Sequence, residues 1–80
     1  MSNQNNYANL NNFRFRFRNK KTGYFSYDDR CIFGDINDII KEYKDNLSKM
    51  CLLGVSNETH TLVQVIHLFN DKTIYSDYMV

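Results

Sequence analysis

Residues 13–18 alternate apolar and charged side chains without interruption. Phe13, Phe15 and Phe17 fall on one side of an extended chain, and Arg14, Arg16 and Arg18 fall on the other. A period of two predicts a half-buried strand. The segment NKKTG (19–23) predicts a turn, with Gly23 able to take a positive φ. YFSY (24–27) then returns as the second strand of a hairpin. RCIF (30–33) extends the sheet beyond a corner at Asp28–Asp29.

The period changes in GDINDIIKEYKDNLSKM (34–50). Ile36, Ile39, Ile40, Tyr43, Leu47 and Met50 recur at spacings of three and four, which predicts an amphipathic helix. Asp35 is a good N-cap, and Asp38 lies near the positive helix end. Lys41–Asp45 and Asp45–Lys49 have i,i+4 spacing, and the charges read as a solvated face.

CLLGV (51–55) is short and apolar and reads as a strand, followed by a loop at SNETH (56–60). TLVQVIHLF (61–69) carries both periods, since Leu62, Val65, Ile66 and Phe69 also suit a helix. The β-branched content and short length favour a strand. NDKT (70–73) is a turn and IYSDYMV (74–80) a final strand. The fold class expected is α+β: a small antiparallel sheet of about five strands with one amphipathic helix packed on it. Residues 1–12 hold six Asn and one Gln and read as a flexible tail, leaving 13–80 as a single domain.

Composition narrows the class of function. The 80 residues suffice for one thin core, and the 42% hydrophobic content supports a folded chain. Ten basic against nine acidic residues give a net charge of +1. That balance excludes the dense negative surface of a DNA mimic and also a globally basic nucleic-acid binder. Electrostatic binding must therefore come from local clustering. The polar start and the lack of a long apolar run predict a cytoplasmic protein with no membrane partner.

Candidate chemistry is sparse. Cys31 and Cys51 form no CxxC pair, and their spacing with His60 and His67 matches no finger pattern. The expectation is two buried free thiols and neither metal nor cofactor. His67 reads as a hydrogen-bonded strand residue. No nucleophile elbow or Gly-rich phosphate loop is present, so no catalytic residue is assigned and an enzyme is not expected. The partner-binding candidates are Arg14, Arg16, Arg18, Lys20, Lys21, Tyr24 and Tyr78. The arginines recur at about 6.5–7 Å along a strand, and phosphates at about 3.4 Å along a nucleic-acid strand. Such a ladder suits an anionic partner, with Tyr24 and Tyr27 as stacking surfaces, an acidic protein, or plain solvent. Tyr75 and Tyr78 are three apart, so a strand places one on each face, and an exposed tyrosine suits an interface.

FRFRNKKTGYFSY (15–27) resembles the opening of phage and prophage YopX-like proteins through Phe15, Arg16, Lys20, Lys21, Thr22 and Tyr27. LVQVIHLFNDKTIYSDYMV (62–80) is similar to that family's central segment through Gln64, Leu68, Asp71, Ile74, Tyr75, Met79 and Val80. The chain differs at Ile66–His67, where the family has Thr-Gly, and at Asp77–Tyr78, where it has Gly-Asp. It also lacks a turn glycine between Asp71 and Ile74, and the family's downstream SH3-like barrel is not expected. The resemblance implies a phage or mobile-element origin and a mostly β fold, with no transferable catalytic residue.

The function expected is that of a small non-catalytic accessory protein acting in the host cytoplasm. It would inhibit or modulate a host defence or nucleic-acid-processing complex, a protein or ribonucleoprotein, by protein contact. The alternative is RNA or single-stranded DNA binding through the Arg14/Arg16/Arg18 face. Pairing of two copies along exposed sheet edges is the homodimer compatible with so thin a sheet.

Overall fold

The structure, a computed structural model, describes residues 10–77. The Phe/Arg alternation forms strand β1 (Asn12–Asn19), and the chain returns as β2 (Phe25–Cys31). Between them the Asn19 side chain accepts hydrogen bonds from the Lys21 and Thr22 amides at 2.8 and 3.0 Å. Gly23 takes a φ of 78°, which closes the turn. Helix α1 (Ile36–Asp45) follows, then a single 3-10 turn (Leu47–Met50), then β3 (His60–His67) and β4 (Lys72–Ser76). The sheet is antiparallel throughout, in the order β2-β1-β3-β4, so β1 is an inner strand.

Among the described residues the α+β class and one amphipathic helix agree with the sequence pattern, but the sheet has four strands rather than about five. Residues 28–29 are no corner. β2 runs straight through them, because Asp28 is held by Arg30 and Asp29 by Arg14. Residues 51–55 are no strand either. Cys51 caps the 3-10 turn at a left-handed φ of 58°, and the Val55 amide donates to the Leu52 carbonyl. This turn packs Leu52 and Val55 against the core and leaves Leu53 fully exposed.

The apolar stripe predicted over 34–50 persists, although the helix breaks at Asn46 (φ −150°). Asn57 stabilises the break: its carbonyl oxygen accepts from the Leu47 amide and its amide donates to the Lys44 carbonyl. The Asn46 side chain accepts from Ser48 N and so starts the second turn. The break also redirects the charges. Lys49 pairs with Glu42 at 3.2 Å rather than with Asp45. The N-cap is as expected, with Asp35 accepting from Asn37 N at 2.9 Å.

The core lies between α1 and one sheet face. Phe13, Phe15 and Phe17 project into it with Leu62 and Val65 from β3, Ile32, Ile40, Leu47 and Met50. Tyr43 meets Phe15 edge-to-face at 5.5 Å. Arg30 reaches over the rim of this layer from β2. It pairs with Asp28, approaches the Tyr43 hydroxyl at 3.4 Å and donates to the Met50 carbonyl at 2.9 Å.

β1 begins one residue ahead of the predicted strand. The Asn11 and Asn12 carbonyls accept from Ile32 and Leu68, so Asn12 of the expected tail belongs to the sheet and Asn11 is bonded just beyond its end, whereas residues 1–9 lie outside the described residues. Both cysteines are free as expected, but they are exposed, not buried. Cys31 ends the outermost strand, and Cys51 occupies the left-handed cap.

Candidate binding surface

Helix α1 packs on the phenylalanine side of the sheet, and among the described residues no helix packs on the other side. On the other side the register brings Arg14, Arg16 and Arg18 directly across from Asp29, Tyr27 and Phe25 of β2. On their β3 side the same arginines lie across from Ile66, Gln64 and Thr61. Cross-strand partners share a face, so this open face is a mixed layer of arginines and aromatics with flanking polar residues.

Two of the three arginines, Arg14 and Arg16, are engaged with their neighbours. Arg14 grips Asp29 with two hydrogen bonds, Nε to Oδ1 at 2.7 Å and Nη2 to Oδ2 at 2.8 Å. Its guanidinium also lies 4.5 Å from the centre of the Tyr27 ring. The hydrogen bonds from Arg14 hold the Asp29 carboxyl below the usual carboxylate range, and Asp29 in turn raises Arg14. Arg16 lies 5.8 Å over the Phe25 ring. Arg16, Phe25 and Gln64, adjacent on this face, are all engaged in contacts. Arg18 is half-buried beside them.

The other candidates are not brought together with this row. Lys20 turns toward the 57–59 loop, where its amide donates to the Thr59 carbonyl at 2.9 Å and its ammonium donates to the Asn57 carbonyl. Lys21 is exposed at the tip and shares a shallow cleft with Asn19, Lys20, Glu58 and Thr59. The Glu58 carboxylate on that wall opposes an anionic ligand. Tyr24 is 77% exposed but precedes β2 and is not part of its paired register. Tyr78 lies outside the described residues.

Sequence reasoning missed two members of the surface, Phe25 and Asp29. Their signal was present: Phe25, Tyr27 and Asp29 are spaced by two, and only the supposed corner at 28–29 hid that β2 continues the period. Phe25 is 52% exposed and Tyr27 58%, so the aromatic part of the surface remains open to a ligand.

The histidines serve the fold. His67 stacks on Phe13 with ring centres 4.6 Å apart, and its Nε2 donates to the Leu10 carbonyl at 2.9 Å. His60 Nδ1 is 2.7 Å from the Thr59 hydroxyl. Among the described residues no group of three or more His, Cys, Asp or Glu side chains is arranged to hold a metal ion. No helix among them is long and apolar enough to cross a membrane. Comparison with family models, curated proteins and solved structures gives no match to this chain.

Proposed function

We propose that the protein is a non-catalytic binding module whose open sheet face docks onto a protein partner. One observation carries this reading: Arg14, the first rung of the cationic row, is clamped by Asp29 and stacked on Tyr27. A cation held in that way is poorly placed to follow a phosphate backbone. It is well placed as a rigid part of an interface, where arginine and tyrosine dominate binding energy. Phe25 and Tyr27 supply the apolar area beside it.

The resemblance to phage YopX-like proteins supports a partner within a host defence or nucleic-acid-processing complex, inhibited or modulated by occupancy in the host cytoplasm. Alanine substitution of Phe25 and Tyr27 tests the surface once a partner is captured. The pair should cost about thirtyfold or more in affinity, the effect of one interface hot spot of about 2 kcal/mol. An unchanged affinity would rule out the open face as the binding surface.

A second reading is binding of RNA or single-stranded DNA. It is favoured by the spacing of Phe25 and Tyr27, two strand positions or about 6.5–7 Å apart on one face and bordered by arginines. Titration of a fluorescent oligonucleotide at low and moderate salt decides it. Affinity falling steeply with salt supports it, and no binding at low salt excludes it.

A further inference from the structure

The two outer edges of the sheet differ. β4 has five residues, and its pairing with β3 is interrupted by a register shift. β2 has seven residues, pairs with β1 in one unbroken register and contains neither lysine nor proline. Short length, bulges, proline and charged side chains, lysine above all, are the usual devices that stop a sheet edge from pairing with another chain. β2 is not short and has no bulge, lysine or proline; its charged residues are Asp28, Asp29 and Arg30. Its charges are already neutralised within the chain, Asp28 by Arg30 and Asp29 by Arg14.

The hydrogen-bond pattern shows which backbone groups this edge offers. Just beyond the strand ends, Ile32 N donates to Asn11 O and Asn19 N to the Tyr24 carbonyl. In an antiparallel ladder the bonded pairs alternate, so the even-numbered residues of β2 bond to β1. The backbone amides and carbonyls of Tyr27, Asp29 and Cys31 therefore point outward. Their side chains lie on the open face.

We propose that this edge is occupied by a second copy of the chain, joined antiparallel through β2 with the two-fold axis at Tyr27. The charge pattern of β2 accommodates a second copy in one register. Registers centred on Asp28, Asp29 or Arg30 place identical charges directly opposite at the axis, which is unfavourable. The register centred on Tyr27 sets Tyr27 beside Tyr27 of the second copy, Ser26 beside Asp28 and Phe25 beside Asp29. It is the longest overlap of β2 with itself in which no like charges face each other. The axis is perpendicular to the sheet, so both helices fall on one side and both open faces on the other. The arginine–aromatic surface then runs continuously across an eight-stranded sheet and brings two tyrosines together at its centre.

Solution mass and disulfide trapping test this on the full chain. The wild type should sediment as a dimer at tens of micromolar. Tyr27→Lys should shift it to monomer with its circular dichroism retained, because it places two ammonium groups at the axis. Tyr27→Pro should do the same, because the amide it removes points outward and is not used by β1, although the ring under Arg14 is lost with it. In a Cys31→Ser/Cys51→Ser background, Tyr27→Cys should cross-link readily under mild oxidation, since paired α-carbons lie about 5.5 Å apart. Asp29→Cys should not, since the two sites are then roughly 13 Å apart along the strands. A wild type that stays monomeric at several hundred micromolar overturns the proposal. So does cross-linking at 29 in preference to 27.

Discussion

Arg14 and Asp29 form a two-pronged ion pair across β1 and β2, with both hydrogen bonds under 3 Å and the Tyr27 ring beneath the guanidinium. The pair fixes both the path of β2 and the charge of the open face. It is partly exposed, so its worth is modest, about 0.2–1 kcal/mol for an ordinary surface pair. It carries a pH signature. Asp29 titrates below its unfolded value, so its contribution is complete above roughly pH 4 and is lost as pH falls through the folded value. Asp29→Asn should remove this part of the acid dependence while leaving stability at pH 7 only slightly lower. Urea denaturation of the two proteins between pH 2 and pH 7 checks it. Parallel profiles would contradict the assignment.

Arg30 ties β2 to the far end of the helical segment. It reaches Asp28, the Tyr43 hydroxyl and the Met50 carbonyl at once, a planar fork that lysine cannot reproduce. Arg30→Lys should therefore destabilise despite keeping the charge, by about 1–3 kcal/mol, the usual cost of stranding partly buried polar groups. The midpoint of urea denaturation reads this directly. Lysine behaving as wild type would show that the bond to Met50 contributes little.

Asn57 bridges the break in the helix through Leu47 N and the Lys44 carbonyl. Asn57→Ala removes both bonds at a point where the backbone has no alternative intrahelical partner. A loss of about 1–2 kcal/mol is expected. Amide exchange should accelerate first at residues 46–50, with β1 and β3 still protected. Uniform acceleration over the whole chain would show that the break does not open as a local unit.

Most of the architecture was legible in periodicity. The alternation in 13–18 gives β1 and its two faces, and the three-and-four spacing of Ile36, Ile39, Ile40 and Tyr43 gives α1 and its buried stripe. What failed were positions where a distant partner overrides local preference. Asp28–Asp29 reads as a corner in isolation, because aspartate favours turns. Arg14 and Arg30 make those two residues strand members instead. The continuous helix expected over 34–50 is interrupted by a side chain ten positions beyond Leu47, which no local pattern contains. Cys51 and Leu52 look like strand residues, but the left-handed cap at Cys51 turns the chain before a strand can start. The arginine row was visible in the sequence. Its engagement with Asp29, Tyr27 and Phe25 depends on register and was not.

Recognition of protein rather than nucleic acid, the reading proposed for the open face, is tested by affinity capture from cell lysate with nuclease treatment, run in parallel for the wild type and the Phe25→Ala/Tyr27→Ala variant. The wild type should retain a specific protein after nuclease digestion, and the variant should lose it while remaining folded. Capture abolished by nuclease, or retained equally by the variant, would overturn that reading.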